Sequence, residues 1–148
     1  MSQVISLLHD KGGCAKTTTC VNLGFALWLL GKKVLLIDTD PQCNLTDTVD
    51  KTVHQEAEST IYEWLHDAEP GESLPLPIYT RYDGLDYVPG SHSMSNINAE
   101  LQLMYNREHR LAEFLNIVDP ESGQRIRDMY DYIFIDCPPI DVVADASL

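Results

Sequence analysis

An apolar run, Val4-Ile5-Ser6-Leu7-Leu8, is followed by Lys11-Gly12-Gly13-Cys14-Ala15-Lys16-Thr17-Thr18 and then by a long helical stretch. The order is that of a strand, a loop and a helix, and it constrains the fold more than any other feature of the chain. Backbone N–H groups can curl round a phosphate only where side chains are small, and the helix that follows aims its positive dipole end at the anion. Gly12 and Gly13 give that room. Lys16 is placed to meet the β- and γ-phosphates of a nucleotide as a point charge, and the Thr17 hydroxyl to ligate the accompanying magnesium. The strict pattern G-x-x-x-x-G-K-[ST] is not met, because Asp10 and Ala15 stand where it has glycines.

Downstream the pattern alternates strand and helix, which predicts an α/β fold with a mostly parallel sheet covered on both faces. Thr17 to Leu30 is apolar almost all round, with Val21, Leu23, Phe25, Leu27, Trp28 and Leu29, so a buried helix is expected, with Gly31 as its left-handed stop. Val34-Leu35-Leu36-Ile37 reads as a strand buried on both faces. Thr60-Ile61-Tyr62-Glu63 has the form of a capping box opening a short helix, and a proline-broken connection follows from Glu69 to Pro77. Leu85-Asp86-Tyr87-Val88-Pro89-Gly90 reads as the end of a third strand, Ser93 or Ser95 to about Val118 as helical, and the region of Ile126 and Met129 as a last helical turn. Tyr132 to Asp136 is then the fourth strand.

Parallel strands bring their C-terminal ends to one edge of the sheet, so Asp38, Asp40 and Asp136 are expected beside the loop. Asp136 closes an apolar strand, the position of a Walker B aspartate that holds magnesium directly or through water. A strand-terminal aspartate is equally a common turn former.

The net charge of −13, with 10 Lys and Arg against 23 Asp and Glu, argues against a broad nucleic-acid surface, which needs Lys and Arg to neutralise phosphates. The longest apolar runs fall well short of the roughly 20 residues of a membrane helix. Cys14, Cys20, Cys43 and Cys137 form no C-x-x-C pair and read as reduced thiols of a cytoplasmic protein. The five histidines have no metal-ligand spacing.

An extra lysine, Lys11, lies five residues before Lys16. With it the sequence resembles the deviant P-loop ATPases of the ParA and MinD group, in the ParA (Soj-like) partition branch. The resemblance is carried by Lys11 to Thr18, by Asn22-Leu23 through Gly31 to Asp38, by Asp38-Thr39-Asp40-Pro41-Gln42, and by Tyr130 to Pro139. It implies a P-loop NTPase fold that binds ATP with Mg²⁺ and hydrolyses it to ADP and phosphate, in plasmid or chromosome partitioning, through an ATP-dependent homodimer. Lys11, Gly12, Gly13, Cys14, Ala15, Lys16, Thr17 and Thr18 would then cradle the nucleotide. Lys11 would cross to the nucleotide of a second copy, much as an arginine finger does. Asp40 would orient or deprotonate the attacking water, with Lys16 stabilising the phosphates. Thr17 and Asp136 would hold the metal, and Asp38 would support its shell. The family further implies a ParB-like stimulating partner and non-specific DNA binding by a nucleoid-associated protein. No terminal amphipathic helix of the MinD kind is visible, so no membrane role is expected.

Relatives carry Asn-Gln where this chain has His9-Asp10, which puts a carboxylate near the triphosphate. Cys14 reads as a small loop residue or as a thiol responsive to oxidation. Family members also continue well beyond the second acidic strand. Residues 1–148 are therefore expected to form a single ParA-like domain, incomplete at its C-terminal end, with the DNA surface in the remaining part. A second reading of the chain is a nucleotide-gated binding or regulatory module without useful turnover.

Overall fold

The computed structural model describes residues 2–8, 15–52, 57–67, 75–96 and 109–138. Strand β1 (Gln3–Leu7) leads toward helix α1 (Lys16–Leu29), which returns the chain to β2 (Val34–Asp38). Helix α2 (Asn44–Val49) and helix α3 (Ile61–Asp67) precede the hairpin of β3 (Tyr79–Tyr82) and β4 (Leu85–Val88). A 3-10 turn (His92–Asn96), helix α4 (Arg110–Asn116) and helix α5 (Ile126–Met129) lead to β5 (Tyr132–Asp136). The sheet order is β1-β5-β2-β4-β3, parallel except for the β3–β4 pair.

Both faces of the sheet are covered, as the uninterrupted apolar strands require. All five residues of β2 are buried. Val34, Leu36, Leu85, Tyr87 and Phe134 pack toward Cys20 and Val21 of α1 and Leu45 and Val49 of α2. The alternate residues Leu35, Ile37, Val88, Ile133 and Ile135 face Ile61, Trp64, Leu111, Phe114 and Ile126 on the other side. Helix α1 approaches the sheet closely at Gly24, where a Cβ would lie 2.6 Å from Cδ2 of Leu36.

Several local signals work as the sequence indicates. Gly31 has φ +80°, and a Schellman pair closes α1: Gly31 N–H donates to Trp28 O at 2.8 Å and Lys32 N–H to Leu27 O at 3.1 Å. At the start of α3, Thr60 N–H and its hydroxyl donate to Glu63 Oε2 at 2.7 and 2.5 Å, while the hydroxyl oxygen accepts from Tyr62 N–H at 3.2 Å.

Two readings are corrected. The sheet has a further strand, β3, joined to β4 through Asp83-Gly84, with Tyr82 opposite Leu85. Asp-Gly between β-rich tetrads is a strong hairpin signal, and Gly84 supplies the positive φ (83°) of the turn. Helix α1 is not buried all round: Leu23 is 47% and Leu29 76% exposed. Of the helical stretch expected from Ser93 or Ser95 to about Val118, the described residues hold the 3-10 turn and α4, which ends at Asn116, and residues 97–108 lie outside them.

β1 pairs with β5 alone among the described strands, and Ile5 at its centre is 36% exposed. Gln3–Leu7 has no charge or proline to discourage a further strand. The chain is therefore expected to show concentration-dependent self-association, reduced by Ile5→Lys, in analytical ultracentrifugation. A wild-type chain that stays monomeric and melts sharply and reversibly would contradict this.

Candidate functional site

The parallel register sets Leu7 opposite Asp136 and Asp136 opposite Asp38. The two carboxylates therefore end neighbouring strands on the sheet face that carries α1 and α2. Each is drawn to the helix above it.

Asp136 turns to α1. Thr17, in the first turn of that helix, donates its hydroxyl to Asp136 Oδ2 at 2.5 Å. The backbone carbonyl of Asp136 accepts from the Thr39 amide (3.0 Å) and hydroxyl (2.9 Å), which ties the strand end to the Asp38-Thr39-Asp40 turn. The side chain is fully buried, yet Oδ1 has no hydrogen-bond partner among the described residues. Burial pushes the Asp136 carboxyl up from the usual range and the negative charge of Asp40 adds to this, while Thr17 and the Lys16 ammonium oppose it. A buried acceptor without a donor costs about 1–3 kcal/mol, more when charged. A hard divalent cation bound by carboxylate and hydroxyl oxygens would remove that cost, and magnesium characteristically uses one or two such protein ligands alongside phosphate oxygens and water. Thr17 and Asp136 fit that ion. Among the described residues no group of three or more His, Cys, Asp or Glu side chains could form a metal cage.

Asp38 turns to α2 instead. Its Oδ2 accepts from the amide and hydroxyl of Thr46 at 2.9 and 2.6 Å, and its Oδ1 accepts from Asp40 N–H at 3.2 Å. The carboxyl thus braces the start of a short helix, which differs from the expected place in a metal shell. Burial pushes it up to about 7, against the pull of Thr46 and with the negative charge of Asp136 adding to the rise. Gly90 permits this packing: a Cβ there would lie 3.0 Å from Asp38 Cγ.

Asp40 lies at the rim, half-buried. Its Oδ1 accepts from Gln42 N–H at 2.8 Å and its carbonyl from Cys43 N–H at 2.9 Å, so an Asx turn holds it. Ala15, exposed at the start of α1, has φ 61° and ψ 25°. That left-handed conformation favours glycine and explains why the strict loop pattern has one there. The bulkier residue leaves α1 intact, with Thr19 N–H donating to Ala15 O at 2.9 Å. Lys16, Thr17 and Thr18 form the first turn of α1, whereas Lys11, Gly12, Gly13 and Cys14 lie outside the described residues, as do His9 and Asp10. Cys20 and Cys43 are buried, and burial pushes both thiols up, Cys43 to about 12, which makes them poor nucleophiles.

Sequence reasoning missed Thr46. The signal was present: Leu45 and Val49 are apolar at i and i+4 directly after the Asp40 turn, the spacing of a short amphipathic helix.

Strand, left-handed loop exit, helix start carrying Lys16 and Thr17, and an acidic tip on the adjacent strand define a P-loop nucleotide-binding α/β domain. The chain belongs to the AAA domain family AAA_31, whose model matches residues 2–148. It is 36% identical over 141 residues to the sporulation initiation inhibitor protein Soj of Bacillus subtilis, covering 94% of this chain and 51% of Soj. It is 34% identical over 139 residues to the chromosome partitioning protein ParA of Caulobacter vibrioides, covering 93% of this chain and 48% of ParA. Cobyrinic acid a,c-diamide synthase of Mycobacterium smegmatis, solved with ADP and magnesium, superposes with a TM-score of 0.78 at 30% identity, covering 100% of this chain and 56% of the synthase. The chain spans about half the length of the curated relatives it matches. No described helix is long and apolar enough to cross a membrane.

The pH linkage of Asp38 has a definite sign. Its folded pKa, about 7, lies above the ordinary 3.8, so the native state binds the proton more tightly than the unfolded state across that interval. Stability is greatest below the unfolded value and falls as pH rises toward 7. Urea unfolding in the presence of EDTA is expected to show a decline between about pH 4 and 7 that is shallower in Asp38→Asn. Parallel curves for the two proteins would contradict the assignment.

Proposed function

We propose that this chain binds ATP with magnesium and hydrolyses it, as the nucleotide-binding part of a partition ATPase of the ParA/Soj kind. The observation that carries the reading is the Thr17–Asp136 hydrogen bond beside a buried carboxylate oxygen that has no donor among the described residues. Phosphoryl transfer needs little covalent help, and catalysis lies in positioning and in neutralising charge on the transferred group. Lys11 to Thr18 bind the triphosphate, Lys16 bringing its ammonium to the phosphates. Thr17 and Asp136 hold the magnesium, which when bound neutralises charge on the phosphate oxygens. Asp40, at the rim, orients a water for in-line attack or takes its proton. Asp38 holds the Asp40 turn rather than the metal.

By analogy with Soj and ParA, the ATP-bound chains pair as a homodimer, with Lys11 reaching the nucleotide of the other copy. A ParB-like protein stimulates turnover, and the complete protein is cytoplasmic and associates with the nucleoid. The net charge of −13 supports placing the DNA surface outside residues 1–148. A second reading, a nucleotide-gated binding module without useful turnover, draws on the chain spanning about half of its relatives. Phosphate release measured with and without DNA separates the two.

Lys16→Ala is expected to lose ATP binding in equilibrium titration, while Asp40→Ala binds ATP with near wild-type affinity and turns it over at least ~100-fold more slowly. Equal hydrolysis by wild type and Asp40→Ala would remove Asp40 from its role.

A further inference from the structure

The Asp40 turn is held from a direction that the nucleotide site does not explain. The loop leaving β4, Pro89 to His92, is fastened to it by two hydrogen bonds. Gly90 N–H donates to Thr46 Oγ1 at 2.9 Å, and the Nδ1–H of His92 donates to Pro41 O at 2.8 Å. The loop is itself anchored, since Pro89 O accepts from Ile61 N–H at 3.0 Å at the start of α3.

Thr46 is the node of this arrangement. Its buried hydroxyl accepts from Gly90 and donates to Asp38 Oδ2 at 2.6 Å, so the donor and one acceptor position are both in use. Asp38 passes the contact on, because its Oδ1 accepts the Asp40 amide at 3.2 Å. The loop passes close to Asp38 at Gly90, where a Cβ would lie 3.0 Å from Asp38 Cγ and 3.2 Å from its carbonyl oxygen. Asp40 is thus fixed through its amide by Asp38 and through the next carbonyl by His92.

We propose that Thr46, Gly90 and His92 are positioning residues, a bracket through which the loop after β4 sets the orientation of Asp40 and so the rate of hydrolysis. Among the described residues the hydrogen bonds of the bracket run to Asp38 and Pro41 and not to Thr17 or Asp136, so the bracket acts on turnover and not on nucleotide affinity. A shift of the loop would reach Asp40 through Thr46 and Asp38 on one side and through the His92–Pro41 hydrogen bond on the other. The proposal rests on the ATPase reading above.

The test uses the 148-residue chain in Thr46→Val, which keeps the shape and removes the hydroxyl, Thr46→Ser, which keeps the hydroxyl, and His92→Ala, an exposed position. Two properties are read: amide hydrogen exchange at Asp40 and Gly90, and phosphate release alongside the ATP dissociation constant. In Thr46→Val the two amides are expected to exchange faster together. Phosphate release should fall by about 10- to 100-fold with the dissociation constant within about twofold, and Thr46→Ser should restore both. His92→Ala should speed Asp40 exchange and slow turnover several-fold, and it stands in for Thr46→Val should that variant fail to fold. Unchanged Asp40 exchange in both, or affinity falling in step with turnover, would overturn the bracket. If the wild-type chain releases no phosphate, the ATPase reading fails. The exchange data alone then decide, with coupled loosening supporting the bracket and independence removing it.

Discussion

Register between β1, β5 and β2 sets Leu7, Asp136 and Asp38 side by side, and the polar contacts of the site follow from that alignment. Because β5 is flanked on both sides, the Asp136 carboxylate cannot relax toward solvent along the sheet. It meets the start of α1 and accepts from Thr17. One charge-assisted hydrogen bond contributes roughly 1.5–3 kcal/mol, against several kcal/mol for burying a carboxylate. The imbalance leaves a site that gains from a cation. The loop between β1 and α1 is where a phosphate-bearing partner for that cation would sit.

Two acidic strand ends with different surroundings divide the work. Asp136 keeps an oxygen without a partner among the described residues, which suits metal binding, whereas both oxygens of Asp38 accept hydrogen bonds from Thr46 and the Asp40 amide. The difference comes from which helix each meets. α1 presents a hydroxyl from its first turn, and α2 presents a backbone amide together with a hydroxyl. Asp40 lies between the two and is held by its own turn.

Much of this was legible in the sequence because it depends on local chemistry. An apolar run ahead of Lys16-Thr17-Thr18 marks β1 and the start of α1, Gly31 stops α1, Thr60 and Glu63 cap α3, and an aspartate ends the apolar run of β5. Less legible was whatever depends on distant packing. Asp38 was expected to support the metal shell, but the position of α2, carrying Thr46, decides where its carboxylate points. Leu23 and Leu29 read as core because they are apolar, yet the sheet covers just one flank of α1. β3 was missed among prolines and short polar residues, although Asp83-Gly84 marks its turn.

The central claim is that Thr17 and Asp136 form the magnesium-binding half of a nucleotide site. Isothermal titration of ATP into the chain, with and without Mg²⁺, tests it directly when wild type is compared with Asp136→Asn. The account requires tighter ATP binding with Mg²⁺ in wild type and loss of most of that Mg²⁺ dependence in Asp136→Asn. The same Mg²⁺ dependence in both proteins, or none in wild type, would contradict it.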